Sequence, residues 1–157
     1  MTRRFVFTRA LAAAAAFMVI QAVLAAIWRR ALLPDVYEGR GFYDFTEPTL
    51  LLVLGGLASY FLTGLIVAML YGHLKAVALG GFSTARFLFL MGALYWVLHD
   101  FSYIGRQEMD GPALYLLLEA VLAAAIFGLF SQVLPRLFSQ PPTTPATPMS
   151  TAASPTS

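Results

Sequence analysis

The chain has 157 residues, 59% of them hydrophobic and 11% charged, with a formal net charge of +2 and a mean hydropathy of +0.75. Soluble domains carry closer to a quarter charged residues, so a water-soluble globule of this length would lack the polar surface to cover itself, and the solvent that fits is a lipid bilayer. The scattered basic residues form no patch with interleaved aromatics, which argues against a nucleic-acid partner, and the absence of cysteine excludes disulfides and thiolate-held clusters within these residues.

The first apolar run, FVFTRALAAAAAFMVIQAVLAAIW, covers about 5–28. That is enough residues to cross about 30 Å of hydrocarbon as a helix. Thr2-Arg3-Arg4 before it and small residues near Val23-Leu24-Ala25 resemble a secretory signal peptide. The run reaches Trp28, longer than a usual signal core, and Arg29-Arg30 follow at once, so the reading is an uncleaved first span. Within it Gln21 lies about 10 Å from the Trp28 end.

Arg29 to Pro48 mixes Asp35, Glu38, Asp44 and Glu47 with Tyr37, Phe42, Tyr43 and Phe45. A loop of this kind is expected in the headgroup layer with its aromatics inserted. The second run covers about 49–71. In it Gly55, Ser59 and Thr63 recur every four residues, and so do Gly64, Ala68 and Gly72. Such stripes let helix backbones approach closely, within one chain or between chains. His73 and Lys75 follow, then Gly80-Gly81 as a turn.

The third run covers about 84–103. Arg86 near its start is expected to snorkel to the headgroups. Tyr95 and His99 lie one turn apart on one face, and Asp100 is read as closer to the surface. The fourth run covers about 113–133, with Pro112 as a helix-starting proline. Ala120, Ala124 and Gly128 form a third small-residue stripe. Glu119 stands about 10 Å inside this run, the single carboxylate in its apolar interior. From Ser139 the chain is Pro/Thr/Ser-rich and uncharged, with five of the nine prolines, and is expected to be a disordered tail over 139–157. Continuous Leu- and Ala-rich runs without period-2 alternation argue for helices rather than strands.

An ionised carboxylate in a bilayer is expensive, about 2.5–3.5 kcal/mol on insertion scales. Glu119 is therefore expected to be protonated, paired or facing a wet cavity. Gln21, His99, Glu119 and Tyr95 fall at similar depths and form a candidate intramembrane polar layer across three spans. That layer is either interhelical glue, at about 0.6 kcal/mol per hydrogen bond, or a proton-handling or ligand-binding site. His73 sits at the opposite membrane face from His99, so the two histidines do not ligate one metal or haem within a chain. No metal ligand set, catalytic motif or cofactor fingerprint is present.

Lys and Arg set the topology. Arg3, Arg4, Arg9, Lys75, Arg86 and Arg136 share the side of the termini, while Arg29, Arg30, Arg40 and Arg106 fall on the other. The positive-inside rule then places both termini in the cytoplasm. The sequence thus predicts an all-α integral membrane protein, a four-transmembrane-helix bundle with a disordered C-terminal tail. In architecture, not in motif, it is similar to small bacterial four-helix inner-membrane proteins. The leading expectation is a non-catalytic component that packs with itself or with a larger membrane complex. The alternative is a small proton-coupled transporter or channel using the Glu/His layer.

Overall fold

The structure, a computed structural model, describes residues 3–38, 50–77, 83–105 and 111–139. Phe42, Tyr43 and Phe45, the Gly80-Gly81 turn and the tail beyond Ser139 lie outside the described residues. Every described element is helical: α1 (Arg3–Ala26) running into a π-helical turn (Ile27–Leu32), α2 (Pro34–Glu38), α3 (Leu50–Val77), α4 (Thr84–Ile104) and α5 (Pro112–Leu137). Among the described residues four stretches are long and apolar enough to cross a bilayer: Val6–Leu32, Val53–Val77, Thr84–Ile104 and Pro112–Leu137. At 1.5 Å per residue each spans about 30–40 Å. The protein is therefore a small all-α, four-span membrane protein.

Three of these helices run further than their apolar runs suggest. The first continues to Leu32 rather than stopping at Trp28, the second to Val77, and the fourth to Leu137. A backbone leaving lipid without water keeps its hydrogen bonds by staying helical until a local signal ends it. Such signals are visible at two starts. The Ser83 hydroxyl accepts the Arg86 N–H at 3.4 Å and caps α4. Gly111 adopts φ 79°, a left-handed conformation that favours glycine, directly before Pro112 at the first turn of α5.

The helices pack in the order α3–α1–α5–α4. Apolar burial does not favour helix association in lipid, so close packing has to come from shape. Between α1 and α3 it comes from small residues. Ala10, Ala13 and Ala14 on α1 and Ala68 on α3 are wholly buried. A Cβ on Gly64 would lie 2.7 Å from Phe17 Cβ and 3.0 Å from Ala14 Cα. A Cβ on Gly72 would lie 3.0 Å from Val6 Cγ1 and 2.8 Å from the ring of Phe138, just past α5. The centre is aromatic: Phe17 of α1 meets Phe127 and Phe130 of α5 edge-on, with centroids 5.3 and 5.0 Å apart.

One end of the bundle gathers the starts of α1 and α4 and the ends of α3 and α5. There Arg9 donates to the carbonyls of Leu137 and Ser139, and Tyr71 of α3 contacts Phe87, Phe138 and the Thr84 hydroxyl. The other end carries the π-helical turn, α2 and a second cluster around Tyr37 and Tyr115. Joined by Tyr71 at the first end, α3 and α4 part toward the second and leave a groove of about 460 Å³ between them.

Candidate functional site, an intramembrane polar centre

Glu119 is buried on α5, 4% exposed, and it is paired. Arg29 grips it with two donors, Nε to Oε1 at 3.0 Å and Nη2 to Oε2 at 2.6 Å. This is the fork-to-carboxylate geometry that makes arginine the strongest partner for a carboxylate. Arg29 belongs to the π-helical turn, whose six residues are IWRRAL. A π turn changes the angle at which successive side chains leave the axis, and here Arg29 faces α5 while Arg30 is exposed. The same turn places Trp28 against α2. Its Nε1–H donates to the Tyr37 hydroxyl at 3.1 Å, and that hydroxyl donates to Glu119 Oε1 at 2.9 Å. Burial, then the adjoining Glu119 carboxylate, push the Tyr37 hydroxyl above its ordinary pKa of 10.0, so it stays a donor. Trp28, Arg29, Tyr37 and Glu119 thus form one network that fastens the short helix α2 onto the bundle.

A second network lies beside the first. Gln21 Nε2 of α1 donates to the Tyr95 hydroxyl of α4. The Tyr95 ring stacks on His99 at 5.3 Å and 16°. His99 Nδ1 lies 2.9 Å from Asp100 Oδ1, and the Tyr115 hydroxyl donates to the same oxygen at 3.3 Å. Asp100, read from the sequence as near the surface, is only 2% exposed, because α5 packs Tyr115 over it. Gln21, Arg29, Tyr95, Asp100 and Glu119 line one small cavity, with about 10 Å³ open to the centre of a water-sized sphere. That is near the lower limit for a single water. Among the described residues Gln21 Oε1, buried there, has no hydrogen-bond partner.

The four residues expected to form one layer are therefore split between two neighbouring networks. Gln21, Tyr95 and His99 are contiguous, whereas Glu119 pairs with Arg29 and not with His99. Sequence reasoning missed Arg29, Tyr37, Asp100 and Tyr115. Arg29 was legible as an arginine one residue past an apolar run, but that position also suits a topology signal, and the π turn that aims it inward has no sequence signature of its own. Among the described residues there is no group of three or more His, Cys, Asp or Glu arranged for a metal.

The small-residue stripes also divide. Gly64, Ala68 and Gly72 are buried in the α1–α3 contact. Gly55 and Ser59 are exposed, Thr63 is half-buried and donates to the Ser59 carbonyl at 2.9 Å, and a Cβ on Gly55 would meet nothing within 4 Å. Ala124 and Gly128 are exposed and Ala120 half-buried, and Gly128 likewise has open space at its Cβ position. Ala120, Ala124 and Gly128 edge an open apolar groove of about 460 Å³ between α4 and α5. Trp96 also lines that groove while its Nε1–H ties α4 to the Leu116 carbonyl at 3.1 Å. Compared with known proteins, the chain matches no family model, no curated protein and no solved structure.

Proposed function

We propose that the protein is a non-catalytic membrane component that packs against a second copy of itself or within a larger membrane complex. The supporting observation is the pair of outward small-residue faces, Gly55-Ser59-Thr63 and Ala120-Ala124-Gly128. At Gly55 and Gly128 a Cβ would meet nothing within 4 Å. Surfaces of this kind let a neighbouring helix come close. The Arg29–Glu119–Tyr37 network fits the same reading, because each carboxylate oxygen of Glu119 has a donor and the effect is to hold α2 in place. The proposed setting is a bacterial inner membrane with both termini cytoplasmic, supported by the Lys/Arg distribution.

Purification in mild detergent from native membranes, followed by mass spectrometry and light scattering, tests the reading. The expected result is a defined homo-oligomer or a stoichiometric companion, lost when Gly128 or Gly55 is changed to Leu. A monodisperse monomer unaffected by either change would overturn it. A reporter fused after Ser139 tests orientation, and activity of a periplasm-specific reporter there would reverse it.

A second reading is a small proton-coupled transporter or channel. Its support is that Glu119 and Asp100 face one cavity while His99, bonded to Asp100, also lines the α3–α4 groove. Proton flux into liposomes containing the protein, abolished by His99→Phe and Asp100→Asn, is its expected signature. Flux no greater than in empty liposomes would remove it.

A further inference from the structure

The α3–α4 groove differs in kind from the α4–α5 groove. Its walls are apolar and turned outward: Ile66 and Leu70 on α3, Leu94 and Leu98 on α4, each between 43% and 65% exposed. In a bilayer such walls meet acyl chains, so the groove is entered from the membrane. One of its lining side chains, His99, is titratable and backed by a buried carboxylate.

His99 is held in one orientation. Asp100 Oδ1 receives the Tyr115 hydroxyl and lies 2.9 Å from His99 Nδ1, which occupies that ring nitrogen. The opposite nitrogen, Nε2, has no protein partner among the described residues, and 38% of the side chain is exposed. Stacking on Tyr95 keeps the ring from turning away. With the ring neutral, Nε2 accepts a hydrogen bond; with the ring protonated, it donates one. The Ser102 hydroxyl, nearby in the groove, is directed to the His99 carbonyl at 2.9 Å.

A plain acyl chain satisfies the walls and leaves Nε2 bare. A ring head group that exists in hydroxyl and carbonyl forms matches both states of this nitrogen. We infer that the α3–α4 groove binds a lipid-soluble quinol or quinone, its ring oxygen on His99 Nε2 and its tail along the apolar walls. The volume of about 460 Å³ falls within the range for small-molecule sites. The inference concerns binding alone and stands whether or not the protein forms oligomers.

The test uses the full chain in lipid nanodiscs with a photoreactive azidoquinone bearing a decyl tail. Peptide mapping should place the label on residues lining the groove, and excess unlabelled decylquinone should displace it. His99→Phe keeps a ring for Tyr95 to stack on and removes both nitrogens; it should weaken labelling about tenfold, the value of one hydrogen bond. Label spread over all lipid-facing helices would overturn the inference, as would equal displacement by oleic acid or a monoacylglycerol, or undiminished labelling of a folded His99→Phe. If that variant does not assemble, the wild-type mapping and competition decide alone.

Discussion

Arg29 and Glu119 are each almost out of contact with solvent, with side chains 12% and 5% exposed. Removing one member of such a pair leaves the other charge buried and unmatched, at a cost of about 3–5 kcal/mol. Arg29→Met and Glu119→Leu should each lower stability in detergent by about that amount. The double variant should lose much less than the sum, because two apolar side chains leave no orphan charge. Thermal unfolding of the four members of this cycle measures the coupling, and additive losses would show that the pair contributes no more than two separate contacts. Tyr37 adds a pH dependence. Its folded pKa is raised above 10.0, so the unfolded chain gives up this proton more readily than the folded one. Its contribution to stability is whole below pH 10 and declines as pH rises further. Tyr37→Phe should remove that alkaline decline and cost about 1.5–3 kcal/mol at neutral pH, the value of a hydrogen bond to a charged group. At this scale Glu119 was legible, since a carboxylate in a greasy run demands a partner. The partner was not, because an arginine just past an apolar run and one turned inward look the same in sequence.

Gly55 and Gly64 of α3 stand in different environments, and substitution should separate them. Gly64→Ala puts a Cβ 2.7 Å from Phe17 Cβ and forces α1 and α3 apart, for about 1–3 kcal/mol of lost stability. Gly55→Ala meets nothing within 4 Å and should be neutral or slightly stabilising within one chain, since alanine favours a helix by about 1 kcal/mol over glycine. Unfolding measurements on both variants at low protein concentration check this, and equal losses would mean that Gly55 packs in a way one chain does not show. The period-four pattern marked both glycines without distinguishing them. What decides is on the partner helix: Phe17 and the backbone at Ala14 lie against Gly64, and nothing in α3 itself reports that fit.

At the scale of the whole molecule, four apolar runs were enough to count spans, because length and hydropathy alone decide whether a helix can cross a bilayer. The order α3–α1–α5–α4 was not legible, because helices that are apolar all round carry no amphipathic face to say which side turns inward. Tyr71 is fully buried at the end where α3 and α4 meet. Its ring contacts Phe87 and Phe138 at 5.9 and 5.4 Å and so joins three elements at one point. Tyr71→Ala should cost about 3–5 kcal/mol, as large aromatic truncations do. It should also raise hydrogen exchange along the second half of α3 and the first half of α4 before the rest of the bundle. Uniform exchange over all four spans would mean that Tyr71 stabilises the bundle globally and does not act as the clasp of this pair.

The π-helical turn at Ile27–Leu32 also governs how the chain can tolerate changes of length. A wide turn holds one residue more than ordinary α turns would need between the same two directions. It is slack in the chain. Loss of a residue inside it lets the segment tighten to α geometry, while α1 before it and Tyr37 after it keep nearly the same facing. Loss of a residue within the regular part of α1, between Phe17 and Gln21, swings every later side chain by about 100° and turns Gln21 and Arg29 off their partners together. A single-residue deletion scan should therefore find tolerated loss only at 30–32, past the Trp28 and Arg29 side chains that bond Tyr37 and Glu119, bordered upstream by positions where the same loss abolishes assembly. In a lineage whose members differ in length, this is where the difference would be expected to accumulate.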